Sequence, residues 1–287
     1  MPIHVQSYRH WGGQLKPYTS MRWWVITKAE LKFIAQRKLV RFIVAIPPAI
    51  YILAHGVFIY AIDRLPQVRV PWQIDARFFN QFLLRVEPIP SGLFIGLLGV
   101  FGGVGLIAND LKYNALQIYL SKPISWLDYL IGKLAVMVIL LASVTLIPGL
   151  LLFIEHLLFV EDLTFIRENY WLIGSIILYS LIIIIPSSLL VITLSSLTSN
   201  ARYAAIGFGA ILIGTPLLYQ IIRQITHSSK AALISIWANY DILGAQLFGL
   251  RPGYDSHWFW SLLVLIGMIG LCLWILHRRI KAVQIVK

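Results

Sequence analysis

Apolar residues along this chain gather into long runs, and six runs approach the roughly 20 residues that a helix needs to cross about 30 Å of hydrocarbon. They cover 42–62, 92–108, 134–160, 171–196, 204–222 and 258–277. The second is short, and Ile89 can extend it. The first run starts too late for a cleavable signal peptide, and no small-residue cleavage site follows it. The pattern predicts an all-α membrane protein with six transmembrane helices spread over 42–287.

Between the runs the polarity changes period. Residues 1–20, with Gly12, Gly13 and Pro17, read as a loose leader. Over 21–41, Ile26, Ala29, Phe33 and Val40 recur at helical spacing, with Lys28, Lys32, Lys38 and Arg41 off that face. This predicts an amphipathic helix on the membrane surface with Trp23 and Trp24 at headgroup depth; the other reading is a cytosolic extension of the first span. The loop 63–91 carries Pro66, Pro71, Pro88 and Pro90 among mixed charges. In the segment 223–257, residues 235–249 have helical composition and are expected to lie on or dip into the outer leaflet.

The polar segment 109–133 has the most structured pattern. A helix over 110–121 places Leu111, Ala115, Ile118 and Tyr119 on one face and Asp110, Asn114 and Gln117 on the other. Pro123 stops it, since it lacks an N–H and holds Lys122 extended. Ser125 then caps the next helix, with Asp128 three residues on. A rigid helix between two spans works as a lever if a partner pushes it. The plainer alternative is an amphipathic loop resting on lipid.

Composition agrees with the runs: 59% of the 287 residues are hydrophobic and only 13% charged. Soluble domains carry about 25% charged residues, so too few are present here to coat a globule. A single cysteine, Cys272, excludes an intrachain disulfide and a thiolate metal cluster. The net charge of +12 would suggest nucleic acid in a soluble protein. Here it is one-sided. With both termini cytoplasmic, the inner segments hold sixteen Lys and Arg against Glu30, Asp110 and Asp128, while the outer segments are nearly neutral. The charge is therefore an orientation signal and an anionic-lipid contact, not a nucleic-acid patch.

Several side chains inside the runs are candidates for function. Gly92/Gly96 and Gly99/Gly103 are small-xxx-small pairs that permit close helix approach. Gly207, Gly209 and Gly214 lie on the fifth run, ahead of Pro216. Pro47, Pro48, Pro148, Pro186 and Pro216 each remove a backbone hydrogen bond, and Ser187 and Ser188 can serve carbonyls freed near Pro186. His55 and Glu155 are candidate polar pathway groups; their plain readings are an interhelical hydrogen bond and an interfacial pair. No catalytic or metal constellation and no P-loop is legible: Gly132-Lys133 is followed by Leu134. No acid, Lys or Arg is expected deep in a span, so energy must come from another chain.

The stretch from Asn109-Asp110 through Leu120-Ser121-Lys122-Pro123-Ile124-Ser125 to Gly132-Lys133 resembles the corresponding stretch of ABC type-2 exporter permeases. The leader's Lys28, Glu30 and Leu31 and the basic tail from His277 to Lys281 add to the resemblance. Asn114 departs from it, standing where many members have glycine, and Asn tolerates left-handed backbone better than most residues. The resemblance implies a permease subunit in the cell inner membrane that binds no cofactor itself. ATP and magnesium belong to a separate nucleotide-binding subunit. It also implies a second permease copy or sister permease and, in some members, a periplasmic protein. It makes 109–122 the coupling helix, with Asp110, Asn114, Ala115, Leu116, Ile118, Ser121, Lys122 and Pro123 as coupling residues. It places the glycines of the second and fifth spans at a dimer interface lining the path; the plain alternative is packing within one subunit. An ion-gradient-driven secondary transporter and a membrane anchoring or assembly protein are the rival functions.

Overall fold

The computed structural model describes residues 21–64, 76, 77, 79, 91–120, 124–160, 167, 169–226 and 229–285. Among them all regular structure is helical. In order, the elements are α1 (Arg22–Ala35), α2 (Lys38–Arg64), α3 (Ser91–Leu98), a π-helical segment (Gly99–Gly103), α4 (Gly105–Lys112), α5 (Ala115–Leu120) and α6 (Trp126–Val144). There follow α7 (Leu146–Val160), α8 (Trp171–Leu197), α9 (Ala201–Thr226), a short 3-10 helix (Ser229–Ile234), α10 (Ile236–Leu247) and α11 (Trp258–Ile285).

Five stretches are long and apolar enough to cross a membrane: Gly92–Lys112, Trp126–Leu158, Trp171–Leu197, Ala201–Thr226 and Trp258–Ile280. The chain is a multi-pass membrane protein. These five match five of the six apolar runs. The sixth run, 42–62, falls within α2, many of whose side chains lie outside the described residues.

Helix α8 is the hub. It is apolar on every side, and such a helix is stable only when surrounded. Helices α4, α6, α7, α9, α10 and α11 pack around it. The outer helices α9 and α11 keep Ile206, Ile213, Leu217, Ile266 and Leu271 exposed, a surface suited to lipid tails.

The second span differs from expectation in three ways. It runs to Lys112, four residues past the expected end, so Asp110 belongs to the spanning helix. A π-helical segment interrupts it, closed by the Val104 N–H donating to the Gly99 carbonyl at 2.9 Å. The single helix expected over 110–121 is two pieces, because Asn114 takes a left-handed φ of 55° and breaks the helix between α4 and α5.

Elsewhere local chemistry sets the ends. Ser125 and Asp128 form the expected reciprocal cap of α6, each accepting from the other's backbone N–H at 3.1 Å. The third span breaks at Thr145, three residues before Pro148, which cannot donate to Val144. At Pro186, the Ser187 hydroxyl pairs with the Tyr240 hydroxyl at 2.9 Å rather than with a carbonyl. Ser188 Oγ is buried without a hydrogen-bond partner. Ser235 caps α10, which is enclosed by α8, α9 and α11.

Candidate functional site

Helix α1 buries Ile26, Thr27 and Ile34, whereas Phe33 of the expected stripe is 56% exposed. What turns α1 is a polar demand. Thr27 Oγ1 lies 3.0 Å from both the Trp23 and Gly132 carbonyl oxygens and shares its proton between them. A β-carbon on Gly132 would stand 2.9 Å from the Trp23 carbonyl oxygen, so only glycine lets α1 and α6 approach this closely. One residue on, Lys133 is fully buried.

The Lys133 ammonium meets two carboxylates. Its Nζ is 2.6 Å from Glu30 Oε1 of α1 and 2.7 Å from Asp110 Oδ2 of α4. The Tyr129 hydroxyl donates to the same Asp110 oxygen at 2.7 Å. The rings of Tyr129 and Tyr119 lie 5.5 and 5.8 Å from the ammonium, a further cation–π contribution. Four elements (α1, α4, α5 and α6) thus meet at one nitrogen. Asp110 needs this partner, since an acid in the last turn of a helix faces the negative end of its dipole. Burial raises the Tyr119 hydroxyl above its ordinary pKa; Lys133 acts against that rise, and the two carboxylates add to it.

Above the triad the clasp continues. Arg37 donates to the Phe101 carbonyl of the π segment at 2.8 Å. On the far side α5 packs on α11, and Trp126 meets His277 edge-on at 4.9 Å. The exposed tip of the turn is Lys112, Tyr113 and Asn114, with the Lys112 ammonium 5.2 Å from the Tyr113 ring centre. Sliding α1, α4 or α6 apart would break a buried ion pair, which costs about 3–5 kcal/mol. The arrangement therefore makes one stiff block of these elements.

The expected coupling residues fall unevenly on this block. Asp110 is one of its two anions and Asn114 its turn, while Ala115 is half-buried. Leu116 is 2% exposed and packs into the chain's own core, so it is not presented to a partner. Ile118 lies on α5 with its side chain outside the described residues, and Ser121, Lys122 and Pro123 lie outside them altogether.

The glycines of the second span serve contacts within the chain. A β-carbon on Gly99 would overlap the Phe208 ring of α9, and one on Gly103 would overlap Val191 and Met137. At Gly92 it would reach Trp237 at 2.8 Å, and at Gly96 Leu212 at 3.3 Å. Gly214, by contrast, has nothing within 4 Å, and Gly207 has only Leu194 at 3.7 Å. The side chain of His55 lies outside the described residues, and Glu155 is half-buried on α7.

Sequence reasoning missed Glu30, Lys133, Tyr119 and Tyr129 as one cluster. The available signal was Lys133 itself, a cation directly ahead of an apolar run that would demand a buried anion. Among the described residues no three His, Cys, Asp or Glu side chains gather as metal ligands. The chain matches no family model, and no curated protein matches it.

Proposed function

We propose that this chain is the membrane-spanning permease subunit of an ATP-driven ABC exporter. It works in the cell inner membrane with six spans and both termini cytoplasmic. A nucleotide-binding subunit hydrolyses ATP, and a second permease copy or sister permease completes the path. Cargo export, or force on a periplasmic partner, follows from movement of the 109–122 region.

One observation carries the reading: a short helix, hung between two spans by a left-handed asparagine, joins a stiff ionic block reaching into α1, α4 and α6. Such a block converts a push on its exposed tip into movement of two spans at once. An amphipathic loop that merely rested on lipid would have no need of a fully buried lysine held by two half-buried carboxylates, since a buried charge is costly. In this reading Lys112, Tyr113 and Asn114 touch the ATPase, and Leu116 supports them from behind.

The test is purification of the tagged full chain from its native membranes in mild detergent. A P-loop ATPase with vanadate-sensitive activity should be retained. Lys112→Glu combined with Tyr113→Asp should release it while leaving the melting temperature unchanged. Retention of no ATP-hydrolysing protein, together with transport by the purified chain along an ion gradient alone, would overturn the proposal in favour of a secondary transporter.

A further inference from the structure

The helix that delivers Asp110 to the triad begins inside the bundle. Its cap residue is Val104, which offers no side-chain acceptor, and no side-chain cap bond is made within the helix. Val104, Leu106, Ile107 and Ala108 are all buried, so their backbone groups are out of reach of water. Ser195 adds a side-chain partner from α8. Its oxygen accepts from the Ile107 and Ala108 N–H groups, both at 2.9 Å, and its own proton goes to the Val104 carbonyl at 2.7 Å. The one donor and both acceptor positions of the hydroxyl are all spent on this single junction.

In the second span α3 packs on α2 and α6, and α4 packs on α8 and α9. Above the junction, Trp237 of α10 covers Gly92 and Phe208 of α9 covers Gly99. Between the halves lies the π segment, a wider and less regular turn than an α-helix. Below it, α4 is fixed by Ser195 to α8 and by Asp110 to Lys133 of α6.

We infer that Ser195 is a positioning residue that clips α4 onto α8, so that displacement of the coupling turn passes sideways into the hub helix. The use made of that displacement rests on the exporter reading; the clip itself does not.

Ser195→Ala in the full-length protein in lipid nanodiscs tests this by hydrogen exchange read at single residues. The Ile107 and Ala108 amides should exchange about tenfold faster or more, as expected for a lost hydrogen bond. Amides of α10 should keep their wild-type rates. Unchanged protection at both amides would overturn the clip. Spin labels at positions 113 and 170 report the distance from the coupling turn to the outer end of α8. That distance distribution should broaden in Ser195→Ala, and equal widths would overturn the transmission route. If the alanine variant does not fold, Ser195→Cys, of similar shape but a weaker acceptor, gives the same comparison. Neither readout uses an ATPase, so a failed exporter reading and a failed clip are told apart.

Discussion

A lysine without solvent contact survives in a protein only where anions and acceptors surround its ammonium. At Lys133 two carboxylates do so, and a tyrosine hydroxyl steadies one of them. Removing the cation alone leaves Glu30 and Asp110 as mutually repelling anions. Lys133→Met is therefore expected to lower stability by about 3–5 kcal/mol in reversible denaturation. A triple variant with Glu30→Gln and Asp110→Asn should recover much of the loss, because no unpaired charge remains. A single variant as stable as the wild type would remove the triad from the account. Asn114 poses a backbone demand instead. At φ 55°, Asn114→Gly should be tolerated, whereas Asn114→Val should cost about 1–2 kcal/mol. Equal melting temperatures for these two variants would mean that the turn imposes no such constraint.

The second span owes its shape to what its glycines face. Gly99→Ala drives a methyl into the Phe208 ring and should destabilise by about 1–3 kcal/mol. Phe208→Leu should relieve part of that penalty in the double variant. Gly214→Ala on α9 meets open space and should leave the midpoint in place. Tryptophan fluorescence during thermal unfolding reads all three, and a Gly214→Ala penalty matching that of Gly99→Ala would sink the distinction. Small-xxx-small spacing revealed that this span is approached closely. The approach comes from α6, α8, α9 and α10 of the same chain.

Over the whole molecule, the one-sided charge of the sequence predicts one orientation. Basic residues collect on α1, at the turn 112–114 and at the end of α11, near the start of α6. A cysteine at position 113 should react with a membrane-impermeant maleimide only from the cytoplasmic side, and one at position 170 only from outside. Tyr113 and Tyr170 are both 69% exposed, and native Cys272 is 3% exposed, so the background is low. The reverse labelling pattern would invert the topology and leave the coupling turn out of reach of a cytoplasmic motor.

The sequence by itself determined the apolar runs, the Ser125–Asp128 cap and the tolerance of Asn114 for left-handed backbone. Each follows from short-range physics: transfer of side chains from water to lipid, side-chain capping and backbone sterics, all summed over neighbouring residues. Tertiary structure alone decided that Glu30 meets Lys133 across 103 residues and that Ser195 meets Ile107 across 88. It also decided which face of α1 is buried. Those outcomes depend on how each helix is rotated about its axis. A helix as uniformly apolar as α8 gives no periodic signal of its rotation, so its buried hydroxyls and their partners become visible only once the helices are packed.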